Sequence, residues 1–126
     1  MVLFLDTRTR AIRFAALSGT KVIAGQRRTV ARPEAILPAL EQFVNAQAGL
    51  SRLRRVVVVS GPGQFSWLRA GVVIGNALGK TLRLPLASVR AADPEQPIPL
   101  ATIANAPSTK SITPSYGKKP GITIKK

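Results

Sequence analysis

The chain has 126 residues, 45% of them hydrophobic and 5% aromatic, and carries 19 Lys and Arg against 5 Asp and Glu for a formal charge of +14. That length supports one small domain with an aliphatic core but not two full lobes, and the charge favours polyanions or an acidic protein partner. With no Cys and no His, disulfides, thiolate chemistry, imidazole bases and the usual zinc sites are excluded.

The opening MVLFLDTRTR has an acid at position 6 and no extended apolar run, so it reads as neither signal peptide nor membrane anchor, and a cytoplasmic location is expected. Residues 2–6 (VLFLD) and 10–17 (RAIRFAAL) read as strands,. Ser18 and Gly19 supply a turn into a third strand at 21–30 (KVIAGQRRTV), giving an antiparallel meander,. Pro33 opens a helix running to about residue 48, in which Ile36, Leu37, Leu40, Phe43, Val44 and Gln47 share one face,. Pro38 removes the amide that would bond the Glu34 carbonyl, so the first turn should be loose or kinked,.

The run VVVV at 56–59 reads as a strand buried on both faces, as in parallel sheets, and ends in the loop SGPG at 60–63,. A second helix follows over about 65–80, with Gly71, Gly75 and Gly79 at every fourth position. Each glycine costs a helix about 1 kcal/mol against alanine. Close approach by another helix, or by the protein's own sheet, must offset that cost. Pro85 precedes a last strand, LASVR at 86–90, and six of the ten prolines fall beyond residue 91, a linker-like composition,.

Few residues can carry chemistry. The stretch GNALGKT at 75–81 has three residues between its glycines where a phosphate-binding P-loop needs four, and it lies late in a helix rather than at the start of one,. Of the five acids, Glu34 and Glu41 belong to the first helix and Asp93 and Glu95 to the proline-rich stretch. Asp6, at a strand end and followed by Thr7, has the placement of a site residue, but one carboxylate makes no catalytic pair,. No zinc-finger spacing or aromatic RNA-binding strand is present, and one Tyr and one Trp offer little for base stacking,. Arg8, Arg10 and Arg13 flank the first hairpin, with Arg27, Arg28 and Arg32 close in sequence; together they predict part of a basic face.

The segment GPGQFSWLRAGVVIG at 61–75 is the most specific in the chain. It resembles the TsaB (YeaZ) family motif GPGSFTGLRIG, matching it at Gly61, Pro62, Gly63, Phe65, Leu68, Arg69 and Gly71. The opening LFLDTRTRAIRFAAL resembles the family's strand, Asp-Thr-Ser-Thr turn and second strand, with Leu5, Asp6, Thr7 and Thr9 in register. ILPALEQFV at 36–44 resembles its first helix, TLRLPLASV at 81–89 its next strand, and PSYGKKPGITIKK its C-terminal tail. Departures are Arg8 in place of a small hydroxyl, and Gln64, Ser66 and Trp67 in place of Ser, Thr and Gly.

The resemblance implies an α/β fold: one ribonuclease H-like, actin-like ATPase lobe, with a mixed five-stranded sheet of order 3-2-1-4-5, two main helices and a proline-rich C-terminal tail. It divides the chain into the lobe at 1–90, a linker at 91–113 where full-length members place a second lobe, and a basic tail at 114–126. It implies a non-catalytic partner of a TsaD-like catalytic subunit in making threonylcarbamoyladenosine on tRNA, with homodimerisation as the state of the isolated chain. The implied interface is the helix pair, through Ile36, Leu40, Phe43, Val44, Leu68, Gly71, Gly75 and Gly79. Asp6, Thr7, Gly61 and Gly63 are the vestigial ligand-site candidates, and Arg8, Arg10, Arg13, Arg27 and Arg28 the candidate tRNA contacts. Family members are also classed as glycopeptidases, yet neither an activated nucleophile nor a metal-bound water can be assembled without His or Cys. No metal or cofactor is expected, since the superfamily's nucleotide lies between two lobes and one lobe cannot enclose it. The alternatives are a stand-alone basic RNA-binding module and a degenerate fragment kept as an interaction surface.

Overall fold

A computed structural model describes residues 1–47 and 49–116. The first 29 residues form the expected meander: β1 (Val2–Asp6), β2 (Ala11–Ser18) and β3 (Lys21–Thr29). Gly19, at φ +62°, makes the tight turn between β2 and β3, where a side chain would be strained,. A 3-10 turn at Pro33–Ala35 leads into α1 (Ile36–Ala46). Pro38 therefore falls in the first α-helical turn, where its missing amide breaks no bond of the helix interior. Then come β4 (Arg55–Gly61), α2 (Phe65–Leu82) and β5 (Leu86–Arg90). The second helix stops where Arg83 turns left-handed and Pro85 follows,.

The sheet has the order β3-β2-β1-β4-β5-β6, antiparallel from β3 to β1 and parallel from β1 through β4 to β5. The implied five-strand order is present, with one strand added at the edge: β6 (Ser108–Thr109) pairs antiparallel with β5. It belongs to the stretch read as linker, which also supplies a short helix, α3 (Leu100–Ala104).

Strand alternation sends side chains to two cores. On one face Leu3, Leu5, Ile12, Phe14, Val56 and Val58 meet Ile36, Leu40, Phe43 and Val44 of α1 and Val72 of α2. Phe14 and Phe43 pack with their ring centroids 5.7 Å apart. On the other face Phe4, Leu17, Val57, Val59, Ala87 and Val89 meet Ile103 and Ala106. The four valines of β4 are fully buried because helices or loops cover both sides. Pro97, Pro99 and Pro107 thus punctuate a segment that covers the second face. Ile112 reaches the first core, held by two bonds to Asn76: the Asn76 Nδ2 donates to the Ile112 carbonyl at 2.9 Å, and the Ile112 amide donates to Asn76 Oδ1 at 2.8 Å. The Arg55 guanidinium donates to the carbonyls of Ala104 and Ala106, tying the end of α3 to β4. The basic tail expected at 114–126 lies mostly outside the described residues.

Candidate functional site

Because β1, β4 and β5 run parallel, the loops leaving their carboxyl ends gather at one edge of the sheet, where open α/β sheets bind ligands,. All four vestigial candidates meet there. Asp6 ends β1, Thr7 follows it, and Gly61 and Gly63 frame the turn from β4 into α2.

Each is already engaged by the chain itself. The Arg8 fork grips the Asp6 carboxylate, with Nε 3.0 Å from Oδ1 and a second nitrogen 2.9 Å from Oδ2, and the Arg8 amide adds a bond of 3.2 Å to Oδ1. Both residues are buried, so this is a charge-assisted bidentate pair out of water,. The remaining guanidinium nitrogen donates to the Asp93 carbonyl at 3.0 Å, drawing the loop after β5 over the pair. Thr7 is fully buried, and its hydroxyl donates to the Trp67 carbonyl at 2.9 Å rather than facing the cleft. A side chain at Gly63 would come within 2.7 Å of the Arg8 backbone, and one at Gly61 would overlap the Ser115 carbonyl. Backbone bonds close the edge further: Gln64 donates to Arg8 at 2.8 Å, Ala91 to Gly61 at 3.1 Å and Ser115 to Ser60 at 2.6 Å.

What remains is a cavity of about 60 Å³ beside Asp6, Arg8, Arg13 and Arg27. Sites for nucleotides and similar ligands span about 300–1,000 Å³. The residues present do not fit a nucleotide or a metal-bound phosphate, because the carboxylate that would hold the ion is spent on Arg8. Among the described residues no three His, Cys, Asp or Glu side chains come together as a metal-binding group.

Two groups of expected contacts need correction. Arg8 is 3% exposed and cannot touch tRNA. The other arginines divide between the two sides of the sheet: the Arg10 guanidinium stacks 5.1 Å over the Trp67 ring and Arg28 donates to Gln42 on α1 at 2.9 Å, whereas Arg13 and Arg27 pair across β2 and β3 with their side chains opposite the helices. They form no single basic face. The residues read as a subunit interface, Ile36, Leu40, Phe43, Val44, Leu68, Gly71, Gly75 and Gly79, are all buried within the chain's own fold. A Cβ at Gly71 would strike the Thr7 side chain, at Gly75 that of Val58 and at Gly79 that of Leu86. The glycine stripe exists to seat α2 on β1, β4 and β5, the second of the two readings the spacing left open.

What the helix pair turns outward is a different set. Leu37, Leu50, Phe65 and Val73 are between 44% and 57% exposed. Leu37, Leu50 and Leu78 line a groove of about 160 Å³ between the helices, and Pro33, Phe65, Ala70 and Val73 line another of about 350 Å³. Their signal in the sequence was the surplus of apolar residues around the helices: Leu37, counted with the inward face, sits on its outer margin. Trp67, where the family motif has Gly, packs against the first core with its Nε1 buried and without an acceptor among the described residues.

These features define an α/β lobe with a mixed sheet, two helices on one face and a sealed strand-end cleft. Its fold is that of "YeaZ from Pseudomonas aeruginosa", to which it is similar with a TM-score of 0.62 and 23% identity over 71% of this chain and 43% of that one. A second structure, an uncharacterised protein with similarity to peptidase YeaZ from Pseudomonas aeruginosa, matches with the same score and identity over 42% of its length. The chain thus spans less than half of either protein. No family model matches it, and no curated protein does. Among the described residues no helix is long and apolar enough to cross a membrane.

Proposed function

We propose that this chain is a non-catalytic partner subunit of the TsaB (YeaZ) type, binding a TsaD-like catalytic subunit in the threonylcarbamoyladenosine modification of tRNA. The observation that carries the proposal is the apolar surface of the α1–α2 pair, where Leu37, Val73 and Phe65, the last stacked on Tyr116 at 4.6 Å, are each about half exposed beside two grooves. Scattered apolar residues are ordinary on a surface, but exposed apolar side chains gathered at grooves rimmed by polar residues such as Glu34, Glu41 and Arg69 mark a contact surface,. The sealed cleft supports a role without chemistry, since Arg8 occupies the one carboxylate in a site position. The resemblance at residues 61–71 and the shared fold support the choice of a TsaD-like partner.

The test is co-expression with a TsaD-like subunit and measurement of the complex by size-exclusion chromatography. Phe65→Glu and Val73→Glu should each abolish co-elution, because a charge buried in a docked apolar patch costs several kcal/mol. Their circular dichroism should match the parent, since both side chains are already half in water. Co-elution that survives both substitutions would refute the interface. A contact with tRNA rests on Arg10 and Arg28, which lie on the helix side and are exposed. Reversing both to Glu should weaken tRNA binding at low salt and flatten its salt dependence.

A further inference from the structure

On the face of the sheet opposite α1 and α2, the segment from Ile98 to Ala106 covers β1, β4 and β5. It leaves the β2–β3 half open. A groove of about 410 Å³ lies there, with Ala15 and Gly25 on its floor, Ile98 and Leu100 on one wall, and Arg13 and Arg27 at one end.

Two features of this groove serve no purpose in the fold. Arg13 and Arg27 are directly opposite each other on antiparallel strands, where like charges repel and destabilise the pair. Among the described residues neither side chain makes an ion pair or a hydrogen bond. The nearby acids form no ion pair with them: Asp6, opposite Arg13 on β1, is held by Arg8, and Glu95, which lines the adjoining small cavity, pairs with neither. Gly25 is the second feature. It sits inside a strand, where glycine is costly. Its φ is ordinary, and an added Cβ would meet only the Phe14 carbonyl oxygen at 3.8 Å. Among the described residues nothing requires a glycine there, whereas a ligand backbone lying on the sheet would.

We propose that this groove docks an extended acidic-apolar peptide segment of a partner protein, with a carboxylate on Arg13 and Arg27 and apolar side chains over Ala15 and Gly25. The spacing fits. Successive rows on this face, Arg13–Arg27 and Ala15–Gly25, are two residues apart along the strands, roughly 6.8 Å. Alternate side chains of an extended peptide have the same repeat, so a segment with an acid followed two residues later by leucine sets both groups in place. Nucleic acid suits the groove less well: the cations cluster at one end instead of tracking a backbone, and Phe4 and Phe14 are buried rather than offered for stacking,. The site lies on the opposite side of the sheet from the helix-pair interface and stands independently of it.

The test is an NMR titration of the full, nitrogen-15-labelled chain with the peptide Asp-Ser-Leu-Ser-Leu, its neutral counterpart Asn-Ser-Leu-Ser-Leu, and an oligouridine. The acidic peptide should shift the amides of Ala15, Gly25, Arg27 and Ile98, and the neutral one should bind about tenfold more weakly for want of the charge-assisted bonds. Gly25→Val, which fills the floor while suiting a strand, should weaken the acidic peptide about fivefold and leave oligouridine binding unchanged. If Gly25→Val folds poorly by circular dichroism, Leu100→Ser on the exposed wall takes its place with the same expectation. No shifts at these amides up to roughly 5 mM peptide, equal binding of the neutral peptide, or an affinity untouched by both variants would overturn the proposal. Oligouridine shifting the same amides more strongly than the peptide would reassign the groove to RNA.

Discussion

Substituting Gly75 tests how α2 is seated. A methyl placed there overlaps the Val58 Cγ2, and Val58 is wholly buried between the sheet and the helix. Forcing an extra carbon into such a contact costs about 2 kcal/mol, while replacing a helical glycine by alanine returns about 1 kcal/mol. Gly75→Ala should therefore destabilise by about 1 kcal/mol, a fall in Tm of roughly 4 °C for a domain of this size. Gly75→Leu adds three more carbons at the same point and should lower stability by about 3 kcal/mol or more, lifting α2 from β4. Val58→Ala alone removes two buried methyl groups at about 2 kcal/mol, yet it also clears the space that the new methyl needs. The double variant Val58→Ala with Gly75→Ala should thus lose only about 1 kcal/mol, well short of the sum of about 3, a coupling that only touching residues show. Urea denaturation followed by circular dichroism measures all four. A Gly75→Leu protein that melts with the parent would show that the stripe faces outward and refute the packing.

Arg8→Ala leaves Asp6 buried without its partner and should cost about 3–5 kcal/mol, whereas Asp6→Asn with Arg8→Met should recover much of that loss; equal denaturation midpoints for the two would contradict the buried pair. Asn76→Ala removes both bonds to Ile112 and should free the segment after β6, so that its amides exchange faster and a protease cuts near residue 112 before the rest of the chain unfolds,. Ile103→Asp places a charge at a position 3% exposed in the second core and should unfold the domain at room temperature,. A native spectrum for Ile103→Asp would show that residues 98–106 are the dispensable linker their prolines suggest.

The elements themselves were legible because each is set by local chemistry. Apolar stretches bounded by turns marked β1 to β3, the run of valines marked β4 as doubly covered, and proline and glycine punctuation bounded both helices to within about three residues,. The composition of the final third misled, since prolines interrupt regular structure without preventing the packing of Ile98, Ile103, Ala106 and Ile112 between them. The gathering of Asp6, Thr7, Gly61 and Gly63 was also foreseeable, as all four lie at strand ends that a parallel arrangement brings together. What occupies that gathering was not. Whether Arg8 reaches solvent or turns back on Asp6 depends on the loop that carries the Asp93 carbonyl, 85 residues away in sequence. The same holds for the glycine stripe: spacing declares a close approach on one side of α2, but only the course of β1, β4 and β5 beneath it makes Thr7, Val58 and Leu86 the neighbours. Periodicity determines that a helix has an apolar face, and the tertiary structure decides what that face meets, because burial is a property of the surfaces brought together and not of either one alone.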